Sequence, residues 1–170
     1  MTRDQKVVAV GAAAGVALML TALALLAPHM PALSAGAGAG DRLAFAAKWI
    51  ALAAAPLLFA VMAVGNARFL GEAIDPLLGK ESRAMAIDGR VADNTIQQLA
   101  LYATAAGALA ASGRGDELGI LPASALIFVA ARTAFWTGYR HHPLYRAPGM
   151  AATSYQTVLL FGLATWMAWR

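Results

Sequence analysis

Several polar side chains of this 170-residue chain stand inside or at the edge of long apolar runs. Arg90, Asn94 and Gln97 follow one another at the spacing i, i+4, i+7, so a helix places them within about 60° of one another on one face. An arginine on such a stripe recognises a carboxylate through two parallel hydrogen bonds. The alternative interpretation is an interfacial arginine at a polar helix entrance, paired with Asp88 or Asp93.

A second group of candidates begins with Arg132, which lies inside an apolar run and has no acidic neighbour. A charge at that depth in a membrane costs at least about 2.5 kcal/mol, so it is a functional candidate by default. Phe135, Tyr139 and Arg146 follow Arg132 at +3, +7 and +14, on one face of a continuous helix. Pro143 interrupts this pattern, and Arg146 joins the face only if helical geometry resumes after it. The alternative is a snorkelling arginine with an aromatic pair at the membrane interface.

Other kinds of chemistry are excluded or only weakly indicated. The chain has no cysteine, which excludes disulfides, thiolate metal sites and a protein thiol nucleophile. His141 and His142 point in different directions on a helix and have no acid nearby, so we predict solvated histidines and no metal site. Together with Arg140 and Arg146 they alternatively form a basic cluster that faces anionic lipid. Phosphate-binding loops, dinucleotide fingerprints and nucleophile elbows are absent from the sequence.

The composition is that of a membrane protein. Hydrophobic residues make up 60% of the chain, charged residues 13%, and the mean hydropathy is +0.61. Soluble domains are about 45–50% apolar and about 25% charged, and a chain of this length has too little interior to bury the excess. The net charge of +4 is better explained by membrane topology than by nucleic-acid binding.

Five apolar runs predict membrane-spanning helices, each of which needs about 20 residues. The runs are Val7–Ala27, Trp49–Gly65, Thr95–Gly113, Leu118–Ala131 and Met150–Trp169, and the helical pattern of the fourth continues to Tyr139. Pro56 predicts a kink in the second run because it removes a backbone hydrogen bond. The first run also resembles a signal peptide, since Arg3 and Lys6 precede it, but its length favours an uncleaved transmembrane helix.

Positive charges in the loops predict the orientation of these spans. With a cytoplasmic N-terminus, the inner side carries eight basic residues and the outer side four. The inner set is Arg3, Lys6, Arg68, Lys80, Arg83, Arg90, Arg140 and Arg146, and the outer set is Arg42, Lys48, Arg114 and Arg170. We therefore expect a multi-pass integral membrane protein with its C-terminus outside, in the plasma membrane or, in a bacterium, the inner membrane.

The order and spacing of the polar residues resemble those of the MAPEG family, membrane-associated proteins in eicosanoid and glutathione metabolism. The shared pattern is Arg90-x-x-x-Asn94-x-x-Gln97, then about 35 residues, then Ala131-Arg132-x-x-Phe135-x-x-Gly138-Tyr139 and a later Arg146. The resemblance runs from about Ala44 to the C-terminus. It implies a four-helix membrane bundle over residues 44–170, assembled as a homotrimer that binds glutathione between subunits. Residues 1–43, a further transmembrane helix and a Gly/Ala-rich linker, lie outside that plan.

The resemblance also assigns roles to individual residues. Those expected to bind glutathione are Arg68, Arg90, Asn94, Gln97, Arg132, Phe135 and Tyr139. Arg146 takes the place of an arginine proposed to activate the thiol, as the catalytic residue. Gln97 stands where the family usually has Glu, and Phe135 where Tyr is common, so a negative charge and a hydroxyl donor are lost.

The implied function is a membrane-embedded transferase or peroxidase that uses glutathione as cosubstrate on lipophilic electrophiles. Glutathione is a net anion, which suits an arginine-rich crevice, and a guanidinium favours its thiolate. A second hypothesis, favoured by Gln97 and Phe135, is a catalytically inactive relative with a binding or structural role. A third hypothesis is a small transporter or channel subunit. Expected partners are the lipid bilayer, glutathione or a similar thiol, and a lipophilic small molecule, but no nucleic acid.

Overall fold

The computed structural model describes all 170 residues apart from the side chain of Pro76. Within this description the chain is all-helical and has no β-strand, which confirms the predicted all-α class. The α-helices are α1 (Arg3–Leu26), α2 (Ala39–Ala53), α3 (Ala55–Leu70), α4 (Arg83–Ser112), α5 (Ile120–His141) and α6 (Ala147–Ala168). Short 3-10 segments follow α1, α3, α4 and α5 at Ala27–His29, Pro76–Leu78, Gly115–Gly119 and Pro143–Arg146.

Three helical segments are long and apolar enough to cross a membrane. They are Arg3–His29, Ala39–Leu70 and Gly115–His141, and they contain the first, second and fourth apolar runs. The third and fifth runs lie in α4 and α6. Among the described residues, α4 and α6 are less hydrophobic than the three segments above, because Gln97, Gln98 and Gln156 lower the mean hydropathy of these two helices. The helical segments thus indicate a membrane protein, whereas five crossings stay a prediction.

The second apolar run consists of two helices. The break between α2 and α3 falls at Ala54, two residues before Pro56, so the predicted kink is confirmed. Helix α2 begins at Ala39, which lies within the stretch predicted as a linker. The chain that leads into α2 is held in place, because the Leu33 amide donates to the Gly115 carbonyl at 3.2 Å.

Helix α4 is the longest, and polar side chains cap both of its ends. The Ser82 hydroxyl accepts a hydrogen bond from the Met85 amide at 3.2 Å, so the helix begins well before the apolar run that marked it in the sequence. At the other end, Arg42 donates to the carbonyls of Ala110 and Ala111 at 2.9 and 3.2 Å. These carbonyls belong to the last turn, where a helix lacks partners of its own and favours a cation.

Helix α4 packs against α2, α3, α5 and α6, and α1 packs on the outside of α5 and α6. The core holds the rings of Tyr102 and Phe128, with centroids 5.0 Å apart, among buried alanines such as Ala105 and Ala106. Small residues allow helices in membranes to approach closely. Helix α1 is in direct contact with α5 and α6. The division of the chain into an N-terminal segment, residues 1–43, and a four-helix domain, residues 44–170, stays a prediction.

Charged residues collect at the two ends of the bundle. The arginine-rich end, where α3 and α5 finish and α4 and α6 begin, is defined by Arg68, Arg90, Arg140 and Arg146. The opposite end carries Arg42 on the end of α4, and the pair formed by Arg170 and Glu117. Most candidate residues from the sequence lie at the arginine-rich end.

Candidate functional site

A cavity of about 360 Å³ opens at the arginine-rich end, between α4, α5 and the start of α6. We call it the polar cavity, and its lining residues are Arg90, Asn94, Phe135, Tyr139, Arg146 and Met150. Five of these six are residues singled out from the sequence. The described lining contains two guanidinium groups and no carboxylate, so the polar cavity is positively charged.

Arg146 reaches the polar cavity although α5 ends before it. His142 adopts an extended conformation, and the 3-10 segment Pro143–Arg146 folds back against α5. Gly138 permits this return, because a Cβ atom there would overlap the carbonyl oxygen of Tyr145. The guanidinium carbon of Arg146 then lies 4.8 Å from the centre of the Tyr139 ring. The helix therefore does not continue through Pro143, a case that the sequence left open, and Arg146 comes close to Tyr139 by way of this turn.

Arg90 also contacts Tyr139. Its Nη1 atom donates to the Tyr139 phenol at 3.5 Å. Asp88, a partner considered for Arg90, instead accepts from Arg140 Nε at 2.9 Å and from Trp136 Nε1 at 2.7 Å. In the part of the chain that the structure describes, Arg90 forms no ion pair, so it is available to a ligand.

Arg132 lies against the wall of the polar cavity and is only 1% exposed. Its Nη2 atom donates to Asn94 Oδ1 at 2.9 Å and to Thr95 Oγ1 at 2.8 Å. Its guanidinium carbon lies 4.0 Å from the centre of the Phe135 ring. The Nη1 atom has no hydrogen-bond partner among the described residues. The snorkelling interpretation is therefore wrong, and Arg132 is a buried cation with an unused donor.

Gln97 differs from its neighbours on α4, because it is exposed and lies outside the lining of the polar cavity. The buried glutamine is Gln98, whose side chain accepts a hydrogen bond from the Ser154 hydroxyl at 3.4 Å. The stripe predicted at i, i+4, i+7 thus brings Arg90 and Asn94 to the cavity but leaves Gln97 on the outer face. Its role in binding stays a prediction.

Arg68 lines a second cavity of about 570 Å³ between α3 and α4. It forms an ion pair with Glu81, at 2.9 Å between Nη2 and Oε1. Arg90 lines both cavities and so stands between Arg68 and the residues around Tyr139. Arg68 is therefore near the site but outside the polar cavity, and its predicted contact with a ligand is not part of the observed lining.

The basic residues in the last turn of α5 and just after it have local roles. Arg140 is bound to the buried Asp88 and ties α5 to α4 instead of only facing lipid. His142 caps the 3-10 turn, because its Nδ1 atom accepts from the Leu144 amide at 3.3 Å. Within the described residues, no group of three or more His, Asp or Glu side chains could hold a metal ion.

The sequence analysis missed two side chains that shape the site. Thr95 binds both Nε and Nη2 of Arg132, at 3.2 and 2.8 Å, and Met150 completes the cavity lining. In the sequence, Thr95 was only weakly indicated as a site residue, because it adjoins Asn94 and begins an apolar run. Met150 was not indicated, because its position depends on how the chain folds back after α5.

The polar cavity gathers most of the residues predicted for the site. Five of them line it: Arg90, Asn94, Phe135, Tyr139 and Arg146. Arg132 is outside the lining and lies directly behind it, in contact with Asn94 and Phe135. No protein-family model, curated protein or solved structure matches the chain.

Proposed function

We propose that the polar cavity binds glutathione or a similar anionic thiol, and that the protein uses it as cosubstrate to conjugate or reduce lipophilic electrophiles. The observation that carries the proposal is the unbalanced charge of the cavity. Arg90 and Arg146 line it, Arg132 is buried against its wall, and no carboxylate belongs to the described lining. An anionic guest balances this charge.

Arg132 is the proposed anchor for a ligand carboxylate. One edge of its guanidinium is fixed by Asn94 and Thr95, while Nη1 has no described partner. A buried cation without a counter-charge carries an unfavourable desolvation cost. A carboxylate bound to Nη1 offsets that cost, and glutathione has two carboxylates for one ammonium group.

Arg146 is the proposed activating residue. A free thiol has a pKa of about 8.5 and is mostly protonated at neutral pH. A guanidinium beside the sulfur favours the thiolate, and the thiol proton passes to solvent. The thiolate then forms a sulfur–carbon bond while the leaving group departs with its electron pair. With a lipid hydroperoxide, two thiols are instead oxidised to a disulfide while the hydroperoxide is reduced to an alcohol and water.

The membrane supplies the second substrate. Five crossings would place the arginine-rich end at the cytoplasmic face, with the polar cavity open to water-soluble thiols. An apolar electrophile would reach the cavity from the bilayer, where it concentrates. The proposed setting is thus a multi-pass protein in which a MAPEG-like bundle, formed by α2 to α6, carries the site.

The proposed assembly is a homotrimer. Gln97 is an exposed amide on α4, next to the exposed apolar side chains of Ile96 and Leu101. A polar side chain that faces hydrocarbon is unfavourable, and helix–helix contacts in membranes satisfy such groups. A second copy against this face of α4 would cover Gln97 and bring further polar groups towards the two cavities that Arg90 lines.

A second candidate function is ligand binding without catalysis. No acidic residue of the described lining is available to hold the α-ammonium group of glutathione, and Gln97 lies outside the cavity. Phe135 lacks a hydroxyl group, and its ring contacts the Arg132 guanidinium instead of polarising a substrate. These features favour an anion-binding membrane protein in which the thiol is not activated.

Titration of the purified protein with two ligands tests the proposal and separates the two candidates. Glutathione and S-methylglutathione carry the same carboxylates, but only glutathione forms a thiolate, which absorbs at about 240 nm. We expect both ligands to bind and glutathione alone to give the absorbance. Binding of both without the absorbance supports the second candidate. Binding of neither contradicts both.

A further inference from the structure

We infer that α1 positions the activating arginine: it holds the backbone of the 3-10 turn Pro143–Arg146, and so keeps Arg146 over Tyr139. Helix α1 lies outside the four-helix plan that the sequence resembles, and the proposed function gives it no task. The inference rests on the proposed function, because it concerns the same site.

Two glycines of α1 form the contact. Gly11 and Gly15 are one helical turn apart, and both face Pro148 at the start of α6. A Cβ atom at Gly15 would lie 2.7 Å from the carbonyl carbon of Pro148 and closer still to its oxygen, whereas one at Gly11 would lie 3.3 Å from Pro148 Cδ. Gly15 is therefore in backbone contact with Pro148, which any side chain there would break.

The other side of the same segment rests on α5. A Cβ atom at Gly149 would lie 2.5 Å from the Phe135 amide nitrogen and would overlap the Ala131 carbonyl oxygen. Pro148 and Gly149 are thus wedged between α1 and α5, with glycine permitting the close approach on each side. Helix α1 also makes direct contact with the Pro143–Arg146 turn itself.

Arg146 depends on this wedge because its own side chain is loosely held. It is exposed, and its guanidinium carbon lies 4.8 Å from the centre of the Tyr139 ring. Its position therefore follows from the backbone two residues before Pro148. Thiolate stabilisation weakens as the guanidinium moves away from the sulfur, so a shift of the wedge lowers thiol activation.

The test substitutes Gly15→Ala and reads the turn and the site separately. Because the chain has no cysteine, Tyr145→Cys gives a single position for a spin label, on an exposed side chain of the turn. The matched control is Gly162→Ala in α6, where a Cβ atom meets nothing within 4 Å. Gly11→Ala is the milder variant, and it keeps the test open if Gly15→Ala fails to fold.

We expect Gly15→Ala to increase the mobility of the label and to raise the pKa of the bound glutathione thiol by about one unit, which reduces the thiolate at neutral pH by about tenfold. Gly11→Ala should give a smaller change in the same direction, and Gly162→Ala should match the parent. Unchanged label mobility in both α1 variants overturns the inference, as does increased mobility with an unchanged thiolate signal. If the parent shows no thiolate, the proposed function fails, and label mobility alone then decides whether α1 holds the turn.

Discussion

Arg132 is a cation that neutral side chains hold inside the bundle. Its guanidinium is 1% exposed, fixed by Asn94 and Thr95, and left with an unused donor. A charge within an apolar run is a functional candidate by default. Its partners Asn94 and Thr95 come from another helix, so spacing within α5 could not have revealed them.

Replacing Arg132 with Met separates stability from binding. The substitution removes a buried charge but keeps an unbranched side chain, so the ligand-free protein should be as thermally stable as the wild type or more stable. Glutathione affinity should fall by at least about tenfold, or about 1.4 kcal/mol. Thermal unfolding in detergent, with and without glutathione, measures both. A variant that is strongly destabilised without ligand would show that Arg132 is structural.

At the scale of elements, the turn between α5 and α6 determines whether the site exists. Gly138 allows the Pro143–Arg146 segment to fold back, because its missing side chain leaves room for the Tyr145 carbonyl. We expect Gly138→Ala to lower the unfolding midpoint and to abolish the thiolate signal. Gly107→Ala in α4 is the matched control, since a Cβ atom there meets nothing and helix propensity favours alanine by about 0.5–1 kcal/mol. Equal midpoints for the two variants would contradict this account of the turn.

The sequence predicted the helices better than their ends or their meeting points. Apolar runs located all the long helices, and Pro56 located the break between α2 and α3. The start of α4 was missed because its first turns are polar, which hydropathy does not detect. The return of Arg146 after Pro143 was also beyond reach, since it depends on the contact of Gly138 with a residue in a different segment. Local patterns predict elements, whereas the site is made by contacts between them.

For the whole molecule, we predict a homotrimer. Gln97 is exposed on α4 beside the exposed apolar side chains of Ile96 and Leu101, and a second copy packed against this face would cover it. Native mass spectrometry in a mild detergent should give the mass of three chains. The variant Gln97→Leu keeps the size of the side chain and should weaken the assembly. A wild-type protein that remains monomeric would contradict the proposed assembly.

The topology of the whole molecule gives a second prediction. The excess of basic residues at the arginine-rich end predicts that this end faces the cytoplasm. A tag at the N-terminus should be protected in intact cells, and a tag at the C-terminus should be accessible from outside. Two tags on the same side would contradict the count of five crossings and would leave the polar cavity on an undetermined face.

The most direct test of the central claim is the pH dependence of the bound glutathione thiolate, followed at about 240 nm. A guanidinium stabilises the thiolate, so the pKa of the bound thiol should lie below the free value of about 8.5 in the wild type. Arg146→Ala should raise it back towards the free value, and Arg146→Lys should restore the wild-type value only in part. A bound thiol that titrates at the free value in the wild type, unchanged by Arg146→Ala, would contradict the claim that this cavity activates a thiol.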